Sequence, residues 1–208
     1  MRIVKHESEI IYPETPENWI KEAKLIELAA RNCYKSEDRI TSDSWQKMVK
    51  MLKEKEHGAM LEFANIAIKI TTDRGVTHEL VRHRLASYAQ ESTRYCNYSK
   101  DKFNNEITVV EPVDWDAYSD DQKECWKTGM LSAEKYYFGA IKSGLKPENA
   151  RDFLPHAVKA DIYIKCNWRE LLHILNVRTT EMAHPNIRKI FYGIQEKCRY
   201  YMPMVFDV

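Results

Sequence analysis

The densest run of groups able to do chemistry is Arg82-His83-Arg84-Leu85-Ala86-Ser87-Tyr88-Ala89-Gln90-Glu91-Ser92-Thr93-Arg94-Tyr95. Two guanidinium groups and an imidazole stand in a row after an apolar, helix-patterned stretch. On a helix, successive side chains point about 100° apart, so these three cannot close on one small target. They suit a large anion with several groups, a nucleotide or a dinucleotide, because the planar guanidinium fork matches phosphate and carboxylate oxygens. Ser92 and Arg94 lie two apart, and in extended backbone that spacing puts both on one face, where they can hold one ligand. Taken alone, an Arg-His-Arg triplet is more often a solvated helix end with surface ion pairs.

Arg178 closes another apolar, helix-patterned stretch. It is either a charge presented to a ligand or an arginine capping the last carbonyls of its helix. The chain has no GxGxxG turn, so a Rossmann-type dinucleotide grip is not available. No CxxC pair occurs, and His78 and His83 are five apart, a poor helical spacing for a metal pair, so no metal site is expected.

The surroundings of these residues form a pattern. Arg82-His83-Arg84, seven residues, Ser92 and then Arg94-Tyr95 resembles the signature of the flavin-dependent thymidylate synthases. Ala150-Arg151-Asp152-Phe153-Leu154-Pro155 is similar to that family's Ala-Arg-x-x-Leu-Pro segment, and Asn167-Trp168-Arg169 to its Asn-x-Arg element. Leu175-Asn176-Val177-Arg178 followed by Ala183 resembles its Leu-x-x-Arg segment. Ala30-Arg31-Asn32-Cys33-Tyr34 and the run His57-Gly58-Ala59-Met60-Leu61-Glu62-Phe63 resemble two N-terminal elements. Order and spacing hold from about residue 29 to residue 190.

The resemblance implies an activity: thymidylate (dTMP) made from deoxyuridylate (dUMP), with carbon from methylenetetrahydrofolate, hydride from reduced FAD, and NADPH recharging the flavin. It implies a cytoplasmic homotetramer with active sites where subunits meet. By position, Arg82, His83, Arg84, Gln90, Asn167, Arg169 and His173 fall on flavin-binding positions, with Cys33, His57 and Glu62 in elements bordering the flavin. Glu79, Arg82, Gln90, Ser92, Arg94, Arg151 and Arg178 fall on deoxyuridylate positions. Ser92 and Arg178 come at the reacting ring. A fixed positive charge from Arg178 at the uracil edge favours loss of the N3 proton and makes carbon 5 a better nucleophile. Ser92 has no adjacent base, so it is expected to position the ring rather than attack it.

Several positions depart from the family pattern. Glu79 stands where some members have Gln, Gln90 where Glu is frequent, and Ala59 where some have a flavin-contacting Thr. Met182 replaces a flavin-contacting His, and His184 follows Ala183 where Gln is usual. These departures keep open an enzyme of the same fold acting on another pyrimidine nucleotide. A non-enzymatic nucleotide- or RNA-binding module, with Tyr88, Tyr95 and Tyr98 among the basic residues, is the other alternative. The net charge of +1, from 32 basic and 31 acidic residues, argues against that module and against nucleic acid as a partner.

Helices and strands must position these groups. Thr15-Pro16-Glu17 opens a helix through Ile20, Ala23, Ile26 and Ala30, and a second helix follows Asp43 or Ser44. Residues 61–71 alternate through Ile66, Ile68 and Ile70 and predict a strand. Asp73 caps a helix reaching Arg84, and residues 87–102 form a polar loop. Residues 107–110 make a short strand, and residues 120–141 the longest helix, stopped by Ser143-Gly144. A short helix starts at Pro147, and Val158, Ala160, Ile162 and Ile164 alternate as a strand. Asn167 caps a helix to Val177, and Pro185 opens the last one. Met1 to His6 begins like a strand, and the aromatic tail near Tyr200 packs on the body or on a partner subunit. The expected fold is α+β: long helices around a central, mainly antiparallel sheet, in a single domain over residues 1–208 that forms tetramers by the resemblance. Within it Tyr136, Tyr137, Phe138 and Trp126 are core or interface, and Cys125 and Cys198 are buried small hydrophobes. The five cysteines are odd in number and scattered, which suits reduced thiols. No run of about 18 apolar residues exists, so no membrane span is expected.

Overall fold

The computed structural model describes residues 1–207. Six strands and nine α-helices follow in the order β1 (Arg2–Val4), β2 (Glu7–Tyr12), α1 (Pro16–Asn32), α2 (Ser44–Glu54), α3 (Gly58–Leu61), β3 (Asn65–Asp73), α4 (Arg74–Leu80), β4 (Ser87–Gln90), β5 (Thr108–Val110), α5 (Asp120–Lys142), α6 (Pro147–Ala150), β6 (Lys159–Asn167), α7 (Trp168–Arg178), α8 (Pro185–Tyr201) and α9 (Pro203–Phe206) among the described residues. The class is α+β. One sheet has the order β2-β3-β6-β4 and a second pairs β1 with β5.

The chain gathers into two compact units. The first comprises Met1–Glu7, Ile70–Arg82 and Ala89–Ile162; the second comprises Ser8–Lys69, His83–Tyr88 and Tyr163–Val208.

In the first unit β1 and β5 pair in parallel, with Ile3 opposite Val109. Its core is Tyr98, Ile107, Val109, Tyr137, Ala150 and Val158, all buried. Helix α5 starts on a capping box, Ser119 with Gln122, which satisfies backbone donors at the helix start. Of its 23 residues only Tyr137 and Ala140 are buried. Leu131 and Tyr136 stay exposed on it, and Tyr136 stacks on Phe153 at 6.3 Å. Cys125, expected inside, is exposed on this helix because its face carries no packing partner in the unit.

In the second unit the core is aromatic. Trp19 of α1 stacks on Tyr201 at 5.2 Å and meets Phe206 edge-on, and Trp168 of α7 packs on Phe206 at 5.5 Å. The tail therefore packs on the body, with Val205 and Phe206 fully buried. Truncating a buried aromatic of this size costs about 3–5 kcal/mol, so these rings anchor the helices. Thr15 and Asn18 form the capping box of α1, with Pro16 in its first turn. Asn167 caps α7 by accepting from the Glu170 N–H at 2.8 Å.

The two sheets differ in sense. In the second unit the Trp168 N–H bonds the Ala64 carbonyl, and in the first the Arg74 N–H bonds the His156 carbonyl. Residue numbers fall on one strand as they rise on the other, so β3 and β6 are antiparallel. With β1 and β5 parallel, the sheets are mixed rather than uniform.

Three expectations about elements change. The helix capped by Asp73 ends at Leu80, because Val81 and Arg82 close it with turn bonds to Thr77 and Glu79. The polar stretch from 87 holds the short strand β4. Strand β2 and the single-turn helix α3 were not expected; both are short, and sheet pairing rather than local pattern sets β2.

Candidate active site

In the first unit, helix α4 carries Arg74 and His78 one turn apart on one face. The cap of Asp73 on Val76 N–H, 2.8 Å, fixes its start. After β4 the chain makes a tight turn: Tyr95 and Cys96 N–H groups bond the Ser92 carbonyl, and the Arg94 N–H donates to Ser92 Oγ at 3.3 Å. The turn points Thr93 inward and Arg94 outward. Thr93 is 6% exposed, while Arg94 lies over the Tyr95 ring at 5.3 Å and pairs with Glu148 at 3.3 Å. That exposed pair is worth little to stability, so it yields readily to a ligand.

Arg74, His78, Thr93, Arg151, Asp152 and His156 line a cavity of about 190 Å³. Arg151 makes no ion pair among the described residues, and the Thr93 hydroxyl makes no hydrogen bond there. His78 and His156 meet edge to face at 5.7 Å. Four nitrogen-bearing side chains thus face one carboxylate, Asp152, a balance that favours an anion of phosphate size. Of the positions expected to take the nucleotide, Arg151 lines this cavity and Ser92 and Arg94 belong to the turn beside Thr93. Gln90 donates from Nε2 to Thr77 Oγ1 at 3.0 Å, and Glu79 sits half-buried on α4. Arg74, His78, Thr93 and His156 were not singled out as ligand groups. The one signal available for the first two was their i, i+4 spacing.

In the second unit, His83 is 7% exposed. Arg178, the last residue of α7, donates from Nε to His83 Nε2 at 2.9 Å. An imidazole nitrogen that accepts cannot carry a proton, so His83 is neutral with its proton on Nδ1. Glu170 Oε1 lies 3.9 Å from that Nδ1 and is itself buried. Burial first, then the Arg178 charge, then His173 push the His83 pKa down from 6.5 to about 4. The Tyr88 hydroxyl donates to the His83 carbonyl at 3.0 Å and holds the loop. His83 is thus a neutral acceptor that fixes the direction of the Arg178 Nε–H. Glu170 was not singled out; an acidic residue in a first helical turn has a local role that hides this one.

The other positions of this unit expected to take the flavin divide. Arg84, His173, His57 and Cys33 are exposed, and Arg84 has no ion-pair partner among the described residues. Arg169 is tied to Glu62 by an exposed bond of 2.6 Å. A side chain at Gly58 would meet Arg169 Nε at 3.1 Å, so the glycine leaves room for that arginine. Asn167 spends its carbonyl oxygen on the α7 cap, which fixes its orientation. Met182 is 95% exposed. In the first unit Arg82 is exposed after the end of α4.

The α+β fold thus carries a cationic, phosphate-sized cavity in its first unit and an arginine held beside a neutral histidine in its second, a class of site that can take an anion through side chains rather than through a glycine-rich turn. Residues 17–204 match the family described as thymidylate synthase complementing protein, and the chain belongs to that family. It is 34% identical over 142 residues to a flavin-dependent thymidylate synthase of Pyrococcus abyssi, a match covering 68% of this chain and 57% of that relative. It is 32% identical over 187 residues to the Pyrococcus furiosus enzyme of the same name, covering 89% and 75%. Its fold resembles a UMP/dUMP methylase, PolB from Streptomyces cacaoi, crystallised with 5-Br dUMP. The TM-score is 0.77 at 20% identity, over 100% of this chain and 96% of that one.

Proposed function

We propose that this chain is a flavin-dependent thymidylate synthase, converting dUMP to dTMP with methylenetetrahydrofolate as carbon donor, FAD as hydride carrier and NADPH as reductant. The observation that carries the reading is the cationic cavity of the first unit, in which Arg151, at a family nucleotide position, faces open space without a carboxylate partner among the described residues. One family domain spans residues 1–208.

In the first unit Arg151 and Arg94 hold the nucleotide phosphate, Ser92 positions the uracil, and Gln90 and Glu79 border the sugar. Arg82 reaches both nucleotide and flavin. In the second unit Arg84, Asn167, Arg169 and His173 hold the flavin, with His57, Glu62 and Cys33 at its border. The unit suits an anionic, flat cofactor: Arg84 is unpaired among the described residues, and the rings of His57 and His173 are exposed. When bound and reduced, FAD supplies the hydride that takes the transferred carbon from methylene to methyl level.

The chain's own part is electrostatic. Arg178 sets a positive charge at the uracil edge, lowers the cost of removing the N3 proton and spreads negative charge over the ring. Carbon 5 then attacks the one-carbon unit more readily. His83 accepts from Nε without bringing a charge of its own and orients the guanidinium. Ser92 needs no general base in this scheme.

The protein works as a homotetramer in the cytoplasm, without nucleic acid or membrane as partner. The exposed face of α5, with Leu131 and Tyr136, supports an oligomer by leaving apolar surface to cover. Among the described residues no helix is long and apolar enough to cross a membrane.

Spectral titration with FAD and product assays with dUMP, uridylate and deoxycytidylate test the reading. It expects a yellow protein that makes thymidylate. Turnover of uridylate or deoxycytidylate alone would move the substrate to another pyrimidine, and a protein that stays colourless with FAD would remove the flavin.

A further inference from the structure

The second unit holds a groove of about 650 Å³ between the C-terminal end of α1, residues 34–39 and the buried side of α2. Its size falls in the range of small-molecule sites, about 300–1,000 Å³. Met48, Met51 and Leu52 give it an apolar floor, and Tyr34, 80% exposed, stands at its lip. Arg31, Lys35, Arg39 and Lys55 line it against one carboxylate, Asp38.

These charges are not equivalent. Arg31 is neutralised by Glu27 at 2.9 Å. Lys35 donates to Asn32 Oδ1 at 2.8 Å, a neutral acceptor that leaves its charge in place. The side chains of Arg39 and Lys55 make no hydrogen bond or ion pair among the described residues. Three uncompensated cations therefore ring an apolar floor beside an exposed aromatic. A solvated surface would spread such charges over water; here they converge on one concavity. Lys35 and the neighbouring Glu56 also hold left-handed backbone, φ 48° and 56°, which non-glycine residues seldom adopt.

We propose that this groove binds the anionic tail of an aromatic co-substrate, its ring against Tyr34 and the methionines and its negative groups at Lys35, Arg39 and Lys55. Two co-substrates of the thymidylate reading carry that chemistry: the carboxylates of the folate and the 2′-phosphate of NADPH. The naming of these sources rests on that reading, whereas the groove's preference for anionic aromatic ligands does not.

Direct binding separates the two dependencies. The full chain with FAD is titrated calorimetrically with 2′,5′-ADP and, separately, with p-aminobenzoyl-tetraglutamate. The same titrations are run on the double variant Arg39→Gln/Lys55→Gln, on Met48→Glu, which puts a carboxylate on the floor, and on Lys24→Gln as a remote exposed control. One probe should bind the wild type, with affinity falling at least about tenfold in the double variant and in Met48→Glu and unchanged in the control, since each charged contact is worth about a factor of ten. The probe that binds identifies the source. Binding of neither probe, or equal binding by wild type and double variant, overturns the proposal. In assays, the KM for the matching co-substrate should rise while the KM for dUMP holds. A wild type that binds a probe through these residues but makes no thymidylate would refute the enzymatic reading and leave the groove assigned.

Discussion

The cavity of the first unit and the arginine cluster of the second treat positive charge in opposite ways. Around the cavity, Arg74 and Arg151 stand with two imidazoles, His78 and His156, and a single carboxylate, Asp152, Arg74 also donating to the Glu91 carbonyl at 3.5 Å. In the second unit Arg178 is bonded to His83, which is 7% exposed and neutral, with Glu170 behind it. The first arrangement leaves charge unspent, so it can bind an incoming anion. The second fixes the direction of one charge, so it can act on electrons in a ring already bound. On the proposed reading, holding and activating fall to different side chains, and substitutions should separate them kinetically.

The largest effect is expected from Arg178→Ala. Turnover should fall about 10²–10³-fold, the usual loss when a donor aimed at developing negative charge is removed. Flavin content, read from absorbance, should stay near wild type. A loss of flavin in step with turnover would break the division between holding and activating. Next come Arg151→Gln and Arg74→Gln. Each should raise the KM for dUMP about tenfold through a lost charged contact, with kcat within a few-fold. A fall in kcat at constant KM would move the cavity into the activating set.

A smaller effect is expected in stability against pH. The folded pKa of His83, about 4, lies below its ordinary 6.5. As pH falls below 6.5 the unfolded chain takes up this proton first. The stability contributed by a neutral His83 is therefore complete above 6.5, shrinks as pH falls, and is gone below about 4. Urea midpoints across that window should decline in the wild type more steeply than in His83→Gln, which offers an acceptor but cannot be protonated there. Parallel declines would show that His83 is not held neutral. The smallest effect belongs to Ser92→Ala, which should keep turnover within about tenfold of wild type, because the hydroxyl positions and does not attack. A total loss that Ser92→Cys restores would make it the nucleophile.

The long helices were legible from local chemistry. Thr15-Pro16, Ser119 with Gln122, and Asn167 each satisfy backbone donors within their own turn, so the signal lies in neighbouring residues. Strands β2 and β4 were not legible, since they are short and owe their form to partners distant in sequence. Apolar Val81 continues the helical pattern of α4 in sequence, whereas the bonds of Val81 and Arg82 to Thr77 and Glu79 end the helix at Leu80. The site divides in the same way. Arg151, Arg178 and the residues around Ser92 were visible through motif spacing. The bond between His83 and Arg178 joins positions 95 apart, and no local pattern encodes it. His156 enters the cavity of Arg74 and His78 only because the two chain segments are brought together, the Arg74 N–H bonding the His156 carbonyl. The exposure of Cys125 shows a further gap: composition marks a residue as apolar without saying whether its helix face has a partner.

The central claim is that this chain makes thymidylate with a flavin. It is tested most directly by incubating the purified protein with FAD, NADPH, methylenetetrahydrofolate and dUMP and measuring dTMP by chromatography, with FAD omitted in a parallel reaction. Formation of dTMP that requires FAD is the predicted result; no dTMP from a protein that has bound FAD and dUMP would contradict it.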